Sequence, residues 1–130
     1  MTGSRPQGFA RDARLTRPRQ FRRVFEQPVR VTDRAFTLLA RPRSDTAAPV
    51  EGARLGLAIS KKCARLAVDR HRLKRLIRES FRQVRHELPA VDVVVMCRPA
   101  ATTLTKQAAR AALDKLWQRL IRQCADSSSA

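Results

Sequence analysis

The run from Asp69 to Arg82, Asp-Arg-His-Arg-Leu-Lys-Arg-Leu-Ile-Arg-Glu-Ser-Phe-Arg, constrains this chain more than any other stretch. At about 100° per residue, Leu66, Leu73, Ile77, Phe81 and Val84 fall on one arc of a helix. His71, Lys74, Arg75, Arg78, Arg82 and Arg85 crowd the adjacent arc, Arg70 falls near the border, and Arg72 points elsewhere. Like charges one turn apart destabilise a helix by a few tenths of a kcal/mol per pair, and this helix repeats that arrangement. Ordinary solvated faces mix Glu with Lys and Arg. Here only Asp69 and Glu79 interrupt the run, both off the basic arc. One arc therefore requires a protein core and the other a polyanion, whose phosphates would offset the repulsion. Basic amphipathic helices also bind calmodulin or membrane surfaces, but a helix continuous with a folded core fits neither.

The rest of the chain supplies that core. Its 130 residues suit one domain, and 43% are hydrophobic, enough to bury a core without staples. Lys and Arg number 28 against 11 Asp and Glu, a net charge of +17 that calls for a polyanionic partner. Nucleic acid is the expected partner, with an anionic membrane surface the weaker alternative. No stretch approaches the roughly 20 apolar residues of a membrane span. Met1 to Arg23 is basic and polar, unlike a secretory signal, although an Arg-rich, acid-poor start could mimic an organelle transit peptide. The expected location is the cytoplasm. Cys63, Cys97 and Cys124 are widely spaced, with no CxxC or Cys/His cluster. They read as three thiols acting as small hydrophobes in a reducing compartment, and no metal site is assigned.

Residues 1–14 form an expected flexible basic N-terminus, 15–124 the folded domain and 125–130 a frayed tail. From Leu15, apolar residues recur at helical spacing through Phe21, Val24 and Phe25, with Thr16 able to cap, Pro18 tolerated in the first turn and Pro28 ending the helix. Val29 to Thr32 is extended. Arg34 to Arg41 alternates, with Phe36, Leu38 and Ala40 on one face and Thr37 and Leu39 on the other. Pro42 to Gly52 is a polar loop. Arg54 to Ser60 alternates again, with Leu55, Leu57 and Ile59 inward. A helix is predicted over Arg65 to Glu87, stopped by Pro89, and Val91 to Cys97 (VDVVVMC) looks like a buried central strand. A last helix starts near Thr103 or Thr105, with the stripe Ala109, Leu113, Leu116, Trp117, Leu120 and Ile121. The expected fold is a single-domain α+β sandwich of order α-β-β-β-α-β-α, its sheet carrying helices, with the long helix joining two strands that can pair in parallel.

Phosphodiester hydrolysis by a protein usually needs carboxylate-held metals or a His general base. The acids here are scattered, His71 lies within the Arg run and His86 at the helix end, and no glycine-rich phosphate loop occurs. No catalytic residue is assigned. Aromatics offer a second nucleic-acid signal. Phe21 and Phe25 sit one turn apart and Phe36 lies on the following strand; exposed, they could stack on unpaired bases, whereas most Phe are core residues.

These residues resemble a known family. Lys61-Lys62 after a strand, followed by Arg70-His71-Arg72-Leu73-Lys74-Arg75-Leu76-Ile77-Arg78-Glu79-Ser80-Phe81-Arg82, is similar to the signature of the bacterial ribonuclease P protein. The resemblance extends from about Leu15 to Leu120. It takes in Phe21 and Phe25, Asp33-Arg34-Ala35-Phe36, Leu55 to Lys62, His86 to Ala90, the Val91–Cys97 strand and Leu116-Trp117, in the manner of the proteobacterial branch.

The resemblance implies an accessory subunit of an endoribonuclease whose catalytic RNA, with bound Mg²⁺, removes the 5′ leader from precursor tRNA. The protein alone would bind no cofactor. It would be a monomer in a 1:1 complex with the catalytic RNA and would contact the leader in a cleft between the first helix and the sheet, improving function at low Mg²⁺. Carried over by position, Phe21, Phe25 and Phe36 would line the cleft, and Lys61, Lys62, Arg70, His71, Arg72, Lys74, Arg75, Arg78 and Arg82 would form the RNA-binding motif. The family also implies a mostly antiparallel sheet with a left-handed βαβ crossover, against the usual right-handed rule. His71 stands where the family has Asn, and Leu38 and Leu39 stand where some relatives carry an aromatic. Other classes consistent with the composition are a ribosomal or RNA-chaperone scaffold and, with little support, a protein-only nuclease.

Overall fold

Residues 18–26, 28–42 and 52–128 are described by a computed structural model of the chain. The expectations for Leu15, Thr16, the N-terminal segment 1–14 and most of the polar loop after Pro42 lie outside the described residues. The elements run α1 (Pro18–Val24), β1 (Val29–Thr32), β2 (Phe36–Pro42), β3 (Arg54–Ala58), α2 (Ala67–Val84), β4 (Val91–Cys97) and α3 (Lys106–Ser128). Single 3₁₀ segments cover Arg85–Glu87 and Pro99–Thr103. The order matches the pattern of apolar periodicities. Helix α3 continues through Ser128, into the segment 125–130 expected as a frayed tail.

The four strands form one sheet in the order β1-β2-β4-β3. β1 pairs antiparallel with β2, β2 antiparallel with β4, and β3 parallel with β4. The apolar run Val91–Cys97 takes the interior position its composition demands, with α2 as the crossover from β3. The β1–β2 hairpin is closed by Asp33, whose carboxylate accepts the backbone N–H groups of Ala35 and Phe36 at 2.8 and 2.9 Å. This Asx-type turn explains why the strand begins at Phe36 rather than at Arg34.

Strand alternation splits the sheet into two unequal faces. Phe36, Leu38, Ala40, Leu55, Val91, Val93 and Val95 join one large cluster with α2 and α3. There Phe81 meets Trp117 at a 5.7 Å centroid separation, and the indole Nε1–H donates to Ser80 Oγ at 2.7 Å, satisfying a buried polar pair. Each fully buried large side chain in this layer contributes roughly 1.5–3 kcal/mol. The opposite face carries a small cluster of Val24 from α1 with Leu39 and Val94, flanked by Phe21, Ala58 and Met96. Among the described residues, the larger cluster therefore lies on one side of the sheet and the smaller on the other.

Three local readings change. Leu66, assigned to the core arc, is the N-cap of α2 and 57% exposed, while Leu76 and Ser80 are buried instead. The helix begins at Ala67, so Leu66 precedes the turn that faces the core. Arg85 leaves the basic arc because the chain tightens to 3₁₀ there; its Nε donates to the Ala53 carbonyl at 3.0 Å. Gly52 beside it has φ of +93°, a left-handed conformation that favours glycine. Finally, Cys63 and Cys97, expected as separate thiols, are joined in a disulfide with Cα atoms 5.8 Å apart. The parallel β3–β4 register pairs Ala58 with Met96 and so carries the turn after β3 back towards Cys97, a proximity hidden by 34 residues of separation. Cys124 lies buried outside any disulfide, and burial raises its thiol pKa.

Candidate nucleic-acid interface

Helix α2 presents the basic motif because its other side is anchored. Leu73, Leu76, Ile77, Phe81 and Val84 are buried, which fixes the rotation of the helix. His71, Arg72, Arg75, Arg78 and Arg82 are exposed and Lys74 is half-buried. Arg75 and Arg82 have no ion-pair partner among the described residues. Lys61 and Lys62 are exposed on the turn after β3, a turn closed by the Ala64 N–H donating to the Ser60 carbonyl at 3.0 Å.

The two arginines that flank His71 diverge. Arg70 folds back, and its Nη1 donates to the carbonyls of Ala64 and Arg65, both at 2.9 Å. It ties the first turn of α2 to the segment that displays Lys61 and Lys62, so part of its role is to position the motif. Arg72 runs the other way, its Nη2 3.6 Å from Asp69 Oδ1 and 3.5 Å from the Thr102 carbonyl. His71 remains exposed between them. Helical periodicity locates these residues on a surface, but the carbonyls that Arg70 and Arg72 meet belong to other segments.

The three phenylalanines do not form one platform. Phe21 is half-buried beside the small cluster under α1, and Phe25 at the end of that helix is 47% exposed. Phe36 is 0% exposed and belongs to the large cluster on the opposite face of the sheet. Its place in the cleft is therefore corrected: with period-two alternation, Phe36 faces α2 and α3, and Thr37 and Leu39 face α1. The sheet face under α1 carries residues that the sequence pattern did not single out. Met96 and Ala58, Cα partners in the parallel ladder, flank the cluster that holds Leu39 and Val94. The signal was available in VDVVVMC, where Asp92, Val94 and Met96 share a parity opposite to Val91, Val93 and Val95.

Charge on the cleft face is held in check. Asp92, 2% exposed, accepts two hydrogen bonds from Arg54, Nε to Oδ1 at 2.7 Å and Nη2 to Oδ2 at 2.9 Å. This bidentate pair bridges β3 to β4 in the same row as Arg41 on β2. Arg41 in turn donates to the Glu26 carbonyl at 2.7 Å and lies 3.6 Å from the Glu26 carboxylate, fastening the end of α1 over the sheet. The sheet side is thus apolar with paired ions, and the α2 side is cationic.

The comparisons agree with this geometry. The Ribonuclease P family model matches residues 9–121. The ribonuclease P protein component of Thioalkalivibrio sulfidiphilus is 54% identical over 120 residues, 92% of this chain and 96% of that protein. That of Methylococcus capsulatus is 49% identical over 122 residues, 94% of this chain and 91% of the relative. Among solved structures, the Staphylococcus aureus RNase P protein superimposes with a TM-score of 0.74 at 26% identity, covering 83% of this chain and 94% of that one. With an anchored basic helix and these matches across most of its length, the chain belongs to the ribonuclease P protein family.

Proposed function

We propose that this chain is the RNA-binding protein subunit of ribonuclease P, assisting a catalytic RNA in removing the 5′ leader from precursor tRNA. The observation that carries this reading is the two-sided use of α2: an apolar side locked into the core and a cationic side left exposed beside Lys61 and Lys62. That surface suits the phosphates of a folded RNA. The face under α1 suits a single strand, because Phe21, Met96 and Ala58 offer apolar surface against which unpaired bases can lie. In this reading α2 grips the catalytic RNA, the leader passes along the α1 face, and one protein serves one RNA in the cytoplasm.

The hydrolytic step belongs to the RNA and its Mg²⁺. Among the described residues, no group of three or more His, Cys, Asp or Glu side chains is placed to hold a metal ion. Asp92 is engaged by Arg54, Asp33 by the backbone of its turn, and Asp69 lies against Arg72. What the protein contributes is positive charge that substitutes for cations when two RNAs approach, so its effect is greatest at low Mg²⁺.

The test is precursor-tRNA cleavage at low Mg²⁺ with a proteobacterial ribonuclease P RNA, with and without the protein. Enhanced cleavage is expected from the pair and none from the protein alone. Equal affinity for leader-bearing and mature tRNA, with no enhancement, would instead mark a general RNA scaffold.

A further inference from the structure

Between α2 and α3 runs a groove of about 110 Å³ that the reading above does not use. Its walls are apolar: Leu73 and Leu76 from α2, Leu104 from the segment before α3, and Ala109 from α3 itself. Its rim is cationic, with Arg72 and Arg75 on one side and Lys106 on the other. The one acid at the groove, Glu79, lies 3.7 Å from Arg110 and is thereby partly neutralised. Arg72 and Arg75 also border a shallow concavity with Ala67, Val68 and His71. Here the start of α2 leaves Val68 71% and Leu66 57% exposed. Exposed aliphatics beside the cations Arg72, Arg75 and Lys106 suit a partner that is both apolar and anionic.

The dimensions narrow the choice. An amphipathic helix needs a groove long enough for anchors over two turns, which 110 Å³ does not supply. An enclosed cavity of roughly 150 Å³ accepts a benzene ring, so a smaller groove open on one side accepts the edge of one planar ring. A nucleotide combines such a ring with a phosphate. We propose that the α2–α3 groove receives one unpaired nucleobase of RNA, its flanking phosphates held by Arg72, Arg75 and Lys106 and its neighbouring ribose lying against Val68. The site rests on the reading that α2 faces RNA, and it makes that face a reader of one unstacked base as well as of charge.

Amide chemical shifts of the full chain, titrated with adenosine and uridine 5′-monophosphates, test the site. Ribose 5-phosphate and inorganic phosphate serve as base-free probes. The nucleotides are expected to move Leu76, Leu104 and Ala109, and the base-free probes to move only the rim. Identical patterns from both kinds of probe, or nucleotide shifts centred on Phe21 and Met96 instead, overturn the proposal. A second measurement uses Ala109→Val, its fold checked by thermal melting, to narrow the groove; nucleotide affinity is expected to fall about fivefold or more. Unchanged affinity in a folded variant also overturns it. The cleavage assay separates the two ideas: enhanced cleavage with a silent groove sinks the groove alone, whereas a responsive groove without enhancement supports the groove and sinks the ribonuclease P reading.

Discussion

The exposed face of α2 and the cleft under α1 are built from opposite materials. On α2, Arg75 and Arg82 stand over an apolar anchor with no ion-pair partner among the described residues. Under α1, the ion pairs Arg54–Asp92 and Arg41–Glu26 stand beside an apolar cluster of Val24, Leu39 and Val94 flanked by Phe21, Ala58 and Met96. RNA bound to the first face would draw its free energy from released counterions and weaken as salt rises. A strand on the second would draw it from contact with bases and respond far less to salt. A protein with both can hold a structured RNA by charge and a single strand by contact, and the two can be adjusted separately.

The sharpest way to test that division is to delete aromatics on either side of β2. Phe36→Ala removes a fully buried ring and is expected to lower unfolding free energy by about 3–5 kcal/mol, measured by urea denaturation. Leader affinity should be unchanged under conditions where the variant is folded. A specific loss of leader binding in a stable Phe36→Ala protein would put the ring back in the cleft.

Phe21→Ala should show the reverse. Leader affinity is expected to fall by about 1–3 kcal/mol in a binding titration, with a smaller change in stability. If the loss appears instead as unfolding, Phe21 is a core residue and the cleft loses its platform.

On the cationic side, Arg75→Glu and Arg82→Glu are expected to weaken catalytic-RNA binding. Each lost phosphate contact should flatten the dependence of log affinity on log salt by about 0.7 to 0.9. An unchanged slope would mean that this arc faces solvent in the complex. The smallest effect is expected from His71→Asn, which restores the residue type the family shows there. Exchanging one hydrogen-bonding side chain for another should alter RNA affinity by no more than about 0.5–1.5 kcal/mol. A larger change would make His71 a specific contact of this chain.

Much of this arrangement was legible in the residues. The Phe36/Leu38/Ala40 parity, the run Val91–Cys97 and the stripe from Ala109 to Leu120 predicted strand, strand and helix, because alternation and helical period are properties of the local backbone. The α2 arcs were legible for the same reason, except at Leu66, where one residue of helix boundary decides between core and solvent.

What stayed hidden were relations between segments. Alternation separates Phe36 from Leu39 but does not say which face meets α1, so the family's aromatic role was carried to a ring that lies on the other side. Arg70 and Arg72 look equivalent in the basic run, yet one anchors on Ala64 and Arg65 while the other turns towards Thr102. The Cys63–Cys97 pairing and the α2–α3 groove likewise depend on segments far apart in the chain. By itself the sequence determined the elements and the basic and apolar arcs of the long helix, since side-chain periodicity is set within a few residues. Only the tertiary structure decided which cations remain exposed for RNA and which aromatics are reachable, because side-chain contacts and exposure depend on which distant segments the chain brings together.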